Sequence, residues 1–170
     1  MSDSIVLKAR AEKVSKLLKK EDDTKSEDMV LFILDGQNYA IEASYVFEVY
    51  RYKSITKVPC TPSFIIGVIN LRGQIFSIND LRDILGMEIS NELKSDKIIM
   101  VGNGKVDFGI VIDKIIGEKK IKVSEILEPP KMLPIEKKEF LSGVLLDRTV
   151  VLNIAKILDN KSILVDENIN

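Results

Sequence analysis

Residues 64–80, FIIGVINLRGQIFSIND, hold two runs of mainly apolar, β-branched residues on either side of the pair Arg72-Gly73. A glycine-containing turn between two such runs predicts a β-hairpin. Residues 79–85, which follow, are typical of a short helix, and Gly86 stands where a helix stop is expected. This stretch therefore predicts two paired strands and a short helix.

The same order of elements returns in the second half of the chain. FLSGVLL at 140–146, a turn at 147–149, VVLNI at 150–154 and a short helix ending near Asn160 repeat the hairpin and its helix. At one constant offset, Phe64, Gly67, Val68, Arg72 and Ile78 match Phe140, Gly143, Val144, Arg148 and Ile154. Alternating β patterns always match in part, but identical glycines and arginines in the same order favour an internal duplication.

Another hairpin precedes this unit in each half. Residues 30–34 and 39–52 flank a turn at 35–38, and residues 98–101 and 106–121 flank a turn at 102–105. In these hairpins Tyr39 and Ile41 correspond to Phe108 and Ile110 at a second offset. About five short strands per copy are too few to bury both faces of an open sheet. Each copy, about 29–90 and about 97–160, is therefore expected to close into its own small barrel, and the fold class is mainly β.

The N-terminal residues differ from the rest in pattern. Between residues 5 and 20, Leu7, Ala11, Val14 and Leu18 stand at helical spacing among basic residues, which predicts an amphipathic helix. A polar, mostly acidic stretch follows, so we expect residues 1–28 to be a helix and linker, 29–165 the main domain and 166–170 a tail. The basic face suits a membrane surface or a partner, and equally a solvated helix that is docked or frayed.

Composition excludes several classes of function. The 170 residues are 45% hydrophobic and 30% charged, as in folded globular proteins. They include no histidine, which removes serine triads, cysteine–histidine dyads and histidine-bound zinc, so we expect no enzyme activity, metal or cofactor. A formal net charge of −1 provides no general attraction to nucleic acid. A single cysteine and the lack of a secretory signal favour the cytoplasm.

Isolated motifs carry little chemistry. Gly102-x-Gly104 is too short for a dinucleotide site and lies between two strands, so a hairpin turn is the better interpretation. Cys60 has no histidine to activate it and is expected to be a partly buried, inert thiol. Four carboxylates are expected to be solvated turn residues rather than a metal site: Asp35, Asp80, Asp107 and Asp113. A small oligonucleotide-binding barrel is the alternative function that these residues leave open.

The two copies differ most clearly in charge. Asn70-Leu71-Arg72-Gly73 corresponds to Leu146-Asp147-Arg148-Thr149, and Glu48 corresponds to the uncharged Gly117. An acid in an apolar strand is costly to bury without a partner, and Arg72 in the adjacent hairpin is a candidate. The pair Glu48–Arg72 is therefore either a structural ion pair within one barrel or a charged spot on a partner-binding surface.

Several of these residues resemble the CheW family of chemotaxis coupling proteins. The resemblance includes Val-Phe-Glu-Val at 46–49, Val58-Pro59, and the run Gly-Val-Ile-Asn-Leu-Arg-Gly at 67–73, which is its most specific part. It continues through residues 108–115 and covers nearly everything after residue 28. Two departures are Phe76-Ser77-Ile78, where the family often has a proline, and the basic N-terminal extension.

The resemblance implies two SH3-like five-stranded barrels and a scaffold without a reaction of its own. Its expected partners are the cytoplasmic tip of a methyl-accepting chemoreceptor and the regulatory domain of a CheA-type histidine kinase, with the membrane reached only through receptors. The receptor is expected in a groove near Glu48, Asn70, Arg72 and Gly73. The kinase domain is expected against an apolar patch near Val46, Ile66 and Gly67. Because no receiver-like segment is present, the chain is expected to be a complete coupling protein.

Overall fold

The computed structural model describes residues 8, 10–16, 25–87, 95–131 and 135–160. The strands are β1 Ser26–Leu34, β2 Gln37–Glu42, β3 Val46–Arg51, β4 Ile65–Leu71, β5 Gln74–Asn79, β6 Lys97–Gly102, β7 Asp107–Ile112, β8 Lys114–Lys122, β9 Leu141–Val144 and β10 Val150–Leu152. The helices are α1 Leu81–Ile84, α2 Ile135–Lys138 and α3 Ile154–Asp159, with 3-10 turns at Ala43–Tyr45 and Val123–Glu125.

The strands form two five-stranded sheets, which confirms the mainly β class and the pair of five-stranded barrels. One sheet has the order β3-β6-β7-β5-β4, all between residues 46 and 112, and we call it the central barrel. The other has the order β8-β1-β2-β10-β9 and takes its strands from the two flanking segments, and we call it the terminal barrel. The central barrel is thus inserted between two halves of the terminal one.

The expectation that residues 29–90 and 97–160 each close into a separate barrel is wrong. Each copy gives its first two strands to one barrel and its last three to the other. The crossings lie at the 3-10 turn Ala43–Tyr45 and at Asp113, where a strand of one sheet passes directly into a strand of the other. A barrel built from one copy and a barrel built from strands of both copies have the same local pattern of strands and turns. The sequence pattern therefore does not distinguish the two arrangements.

A single pair of backbone hydrogen bonds closes each barrel. In the central barrel the chain beyond β3 reaches back to β4, where the amides and carbonyls of Thr56 and Val68 bond reciprocally at 2.9 and 2.8 Å. In the terminal barrel Leu127 and Val144 do the same at 3.0 and 2.9 Å. This seam removes the open edges that a five-stranded sheet would otherwise expose.

The matching glycines of the two copies lie directly under these seams. A Cβ on Gly67 would stand 2.3 Å from the carbonyl oxygen of Thr56, and one on Gly143 would stand 2.3 Å from that of Leu127. Any side chain here would force the seam apart. The repeated glycines that indicated the duplication are therefore requirements of barrel closure.

Three apolar cores hold the molecule together. Six buried residues fill the central barrel: Ile69, Leu71, Ile78, Ile98, Met100 and Val111. Five fill the terminal barrel: Met29, Ala40, Ile121, Leu145 and Val151. The largest cluster joins β1 and β2 to β6 and β7, with Phe32 and Phe108 fully or almost fully buried. These two hairpins are buried on both faces, one toward their own barrel and one toward the other, so the two barrels form one folded unit.

The N-terminal boundary lies slightly earlier than expected. Residues 26–28, assigned by their polarity to the linker, begin β1 and pair with β8. The neighbouring β8 is rich in lysine, and Asp28 Oδ1 lies 3.6 Å from Lys120 Nζ across the two strands, so opposite charges face each other where the acidic residues pair. Residues 8 and 10–16 are helical and exposed, in accord with the predicted helix. Residues 1–7, 9, 17–24 and 161–170 lie outside the described residues. They include the rest of the predicted helix, most of the linker and the tail 166–170.

Candidate functional site

An ion pair lies on the surface of the central barrel. Glu48 in β3 and Arg72 at the β4–β5 turn are 3.1 Å apart, from Oε1 to Nη2. The Arg72 side chain is 79% exposed and that of Glu48 24%, so water screens the pair. Such exposed pairs contribute at most about 1 kcal/mol to stability. The geometry therefore favours a charged surface spot over an ion pair that holds the barrel together.

The β4–β5 turn sets the position of the arginine. Arg72 and Gly73 have φ values of 53° and 87°, the left-handed pair of a type I′ hairpin turn. The Asn70 side chain accepts a hydrogen bond from the Gly73 amide through Oδ1 at 2.9 Å. The four residues expected on the receptor side thus lie together, and two of them shape the turn that presents Arg72 to Glu48.

The three residues expected on the kinase side lie in different surroundings. Val46 is half-buried and packs against the core between the barrels, whereas half-buried Ile66 packs against the interior of the central barrel. Gly67 is buried beneath the seam. Gly67 has no side chain to offer a partner and instead allows the backbone of Thr56 to approach closely. Of the three residues, only Val46 and Ile66 have partly exposed side chains.

Exposed apolar residues that the sequence reasoning missed lie on the same barrel. Phe47 is 50% exposed, Val49 46% and Ile75 72%. The ring of Phe47 lies 6.2 Å from that of Phe76, centroid to centroid, which joins β3 to β5. The pairing of β3 with β6 has a β-bulge between Val46 and Glu48. The alternation of residues in the sequence does not reveal this bulge. The central barrel therefore presents a charged pair with apolar surface on the neighbouring positions.

An open groove of about 590 Å³ lies beside Phe47, lined also by Ser44, Tyr45, Gly102, Asn103, Gly104 and Asp107. The predicted turn at 102–105 forms part of its wall. Asn103 accepts hydrogen bonds through Oδ1 from the amides of Lys105 and Val106, both at 3.0 Å. This confirms the interpretation of Gly102-x-Gly104 as a hairpin turn and places that turn next to the exposed phenyl ring.

The interpretation of the aspartates as solvated turn residues is wrong for Asp80. Asp80 and Arg82 are 3% and 4% exposed, and their closest atoms, Oδ2 and Nη2, are 2.6 Å apart. Asp35 donates its backbone N–H to Asp113 Oδ2 at 2.7 Å. Hydrogen bonding to Asp80, and then the negative charges of Asp80, Asp35 and Asp113, raise the pKa of the Arg82 guanidinium despite its burial. The carboxylates are gathered by tertiary contacts that their positions in the chain do not indicate.

Two further features bear on chemistry. Cys60 is exposed rather than partly buried, with φ of 61° in the turn after Pro59. Within residues 25–87, 95–131, 135–160 and the short described N-terminal helix, no cluster of three or more Cys, Asp or Glu is arranged to hold a metal ion. In the same residues no helix is long and apolar enough to cross a membrane.

Comparison with known proteins gives a consistent result. A model of the CheW-like domain family matches residues 28–164. Chemotaxis protein CheW of Helicobacter pylori is 30% identical over 115 residues, covering 68% of this chain and 70% of that protein. Chemotaxis protein CheW of Klebsiella aerogenes is 29% identical over 150 residues, covering 86% and 90%. The crystal structure of scaffolding protein TtCheW from Thermoanaerobacter tengcongensis aligns with a TM-score of 0.66 at 30% identity, covering 76% of this chain and 90% of that one.

Proposed function

The chain belongs to the CheW-like family, and from that premise we propose that it is a non-enzymatic coupling protein of bacterial chemotaxis. In this role it bridges the cytoplasmic tips of chemoreceptors to the regulatory domain of a CheA-type histidine kinase and acts in the cytoplasm. The observation that carries the proposal is the family match across residues 28–164 together with the two-barrel fold shared with a scaffolding protein. These comparisons favour the coupling function over the oligonucleotide-binding alternative.

The receptor side is proposed at the charged spot of the central barrel. Arg72, held in place by Asn70 and Gly73, offers an exposed guanidinium, and Glu48 beside it offers an acceptor. A receptor helix with a carboxylate facing Arg72 and a donor facing Glu48 would replace their weak mutual ion pair with contacts that exclude water. Complementary charges across an interface fix its orientation and specificity, and some close charge pairs also add to the affinity.

The kinase side is proposed around Val46 and Ile66, with Gly67 shaping the backbone beneath. The exposed apolar side chains of Phe47 and Val49 enlarge this region. Apolar and aromatic side chains at the centre of an interface carry most of its binding energy. A partner domain of the same barrel type could pack against such a surface, barrel against barrel.

The experiment is calorimetric titration of the full chain with two partners from the same genome: the kinase regulatory domain and a receptor-tip fragment. Ile66→Asp is expected to abolish kinase binding and Arg72→Ala to weaken receptor binding, each sparing the other partner. Ser142→Asp and Arg148→Ala, the matched positions of the terminal barrel, are the controls and are expected to bind like wild type.

Ile66 is half-buried, so circular dichroism and urea unfolding must first show that Ile66→Asp is folded. If well-folded wild-type protein binds neither partner, the coupling function is wrong. If both controls reduce binding as much as their counterparts, the division of surfaces is wrong while the coupling function stands.

A further inference from the structure

The charge of the chain is unevenly distributed. Residues 5–20, IVLKARAEKVSKLLKK, contain six basic residues and one acidic residue. The first 20 residues hold six basic and two acidic residues, so the remaining 150 carry a formal charge of −5. The negative charge lies in residues 21–28, at −4, and in residues 166–170, at −2, whereas residues 29–165 carry +1. A strongly basic segment is thus followed by a short acidic stretch and a nearly neutral domain.

The described part of this segment is an exposed helix. Residues 8 and 10–16 are helical, all are exposed, and the apolar Val14 is 55% exposed. Within the described ranges, the basic side chains of this helix make no ion pair with another residue: Lys8, Arg10, Lys13 and Lys16. No described carboxylate therefore neutralises these four charges.

The arrangement of residues gives this segment two faces. At 100° per residue, Ala11 and Val14 share one side of the helix, and in the sequence Leu7 and Leu18 continue the same spacing. Lys13 and Lys16 stand on the other side, and Lys8 and Arg10 flank the stripe. A basic amphipathic helix with one apolar stripe is suited to the headgroup region of a bilayer, where the stripe enters the acyl boundary.

We propose that this N-terminal segment binds directly to the surface of an anionic lipid bilayer. Charge complementarity identifies the occupant, because each lysine or arginine near an anionic leaflet contributes about 1 kcal/mol and six are present within 16 residues. Residues 29–165 carry a formal charge of only +1, so the domain offers no comparable basic segment and the contact is assigned to residues 5–20. This contact is independent of the coupling function and adds to any membrane association through receptors.

The test is co-sedimentation of the full chain with phosphatidylcholine vesicles that contain either no phosphatidylglycerol or a substantial fraction of it. Binding is expected only to the anionic vesicles and is expected to fall steeply when salt is raised from 0.1 to 0.5 M, since the Debye length shrinks below about 5 Å. Equal binding to neutral vesicles, or no binding to either, would overturn the proposal.

Variants separate the segment from the domain. Lys13→Glu/Lys16→Glu is expected to lower the partition coefficient by roughly a hundredfold or more. Lys53→Glu/Lys57→Glu, on exposed residues of the central barrel, changes the net charge by the same amount and is the matched control. It is expected to bind anionic vesicles more tightly than the Lys13/Lys16 variant, by that same factor. Ala11→Pro, which breaks the helix and its apolar stripe, is expected to bind more weakly than wild type.

Titration with the kinase regulatory domain keeps the two proposals apart, because the helix variants are expected to bind it normally. If the Lys13/Lys16 variant binds anionic vesicles like wild type, the segment is not the lipid-binding element and the proposal is wrong. If Ala11→Pro binds like wild type, the helical form of the contact is wrong.

Discussion

The central and terminal barrels are built alike at their seams and differently at their surfaces. Both close through one pair of backbone hydrogen bonds over a buried glycine. Both have a β-bulge at a matching residue, Phe47 in one and Ile116 in the other, and each of these side chains is 50% exposed. The features that the duplication kept are therefore those that close and bend a five-stranded sheet.

The charged spot exists in one barrel alone. Arg72 and Arg148 both occupy left-handed turn positions, with φ of 53° and 68°. Arg72 faces Glu48, whereas the position matching Glu48 in the terminal barrel is Gly117. Two positions before Arg148 stands Leu146, 87% exposed, where the central barrel has Asn70. The same backbone thus carries a polar surface in one copy and an apolar one in the other.

A second difference is buried. Asp80 and Arg82 match Asn153 and Ala155, because Asp80 caps α1 as Asn153 caps α3 and the strand pairs before the two helices have equivalent registers. One copy therefore has a buried ion pair where the other has an uncharged helix cap and an alanine. This shows that the backbone at that position does not require a charge and that Asp80 is what makes Arg82 necessary.

The largest expected effect is at this buried pair. Arg82→Ala would copy the terminal barrel but leave Asp80 without its partner, and breaking a buried pair typically costs about 3–5 kcal/mol. Urea unfolding monitored by circular dichroism measures the loss, and Leu158→Ala serves as an apolar comparison. Asp80→Asn/Arg82→Ala, which copies both matching residues Asn153 and Ala155, is expected to recover part of the stability. A single variant as stable as wild type would mean that the two copies are equivalent at this position.

The seams are expected to respond in parallel. Gly67→Ala and Gly143→Ala each place a Cβ against a backbone carbonyl, and a clash of this kind costs about 1–3 kcal/mol. Gly67→Ala is expected to be the more damaging, because its φ of 156° lies at the edge of the region that disfavours side chains. Denaturant midpoints compare the two. Wild-type stability of either variant would show that its barrel closes in another way.

The charged turns should separate function from fold. Arg72→Ala and Arg148→Ala are both expected to change the free energy of unfolding by less than about 1 kcal/mol, because both side chains are at the surface. Arg72→Ala alone is expected to weaken binding of a receptor-tip fragment, by about tenfold, which corresponds to about 1.4 kcal/mol. Calorimetry measures both affinities, and equal losses would mean that the asymmetry of the barrels has no bearing on the receptor.

The smallest expected effect is at Glu42, whose matching residue is the buried Val111. Partial burial, then the nearby charge of Glu27, raises the pKa of Glu42 above 4.5 despite Lys25 and a hydrogen bond from Ser44. The folded state therefore holds the proton more tightly, and stability falls as the pH rises from about 4.5 through the folded pKa. Glu42→Gln is expected to remove this fall and to raise stability at pH 7 by less than about 0.5 kcal/mol. Unfolding curves at pH 4 and pH 7 provide the measurement.

Much of this protein was readable from local pattern. The hairpins, the turn at Arg72-Gly73, the duplication and the mainly β class follow from alternation, turn residues and repeated glycines, all of which act over short stretches of chain. Glu48 and Arg72 were paired correctly because an acid in an apolar strand needs a nearby cation. The partner surfaces assigned to these residues remain predictions.

Local pattern did not reveal which surfaces are open. Val46, Ile66 and Gly67 were expected as one apolar patch, but the bulge after Val46 and the seam over Gly67 direct them into different surroundings. The same bulge leaves Phe47 exposed. Bulges and seams depend on strands that are distant in sequence, so alternation within one strand does not predict them.

The sequence by itself determined the strands, their hairpin turns, the repeat and the chemistry that the chain lacks, because these depend on neighbouring residues and on composition. The tertiary structure alone decided that the copies exchange strands, that Arg82 is buried in an ion pair with Asp80, and that the Glu48–Arg72 pair is exposed. The reason is that these depend on which apolar faces are buried together: the hairpins β1–β2 and β6–β7 pack back to back in the largest core, and that choice is made by the whole molecule.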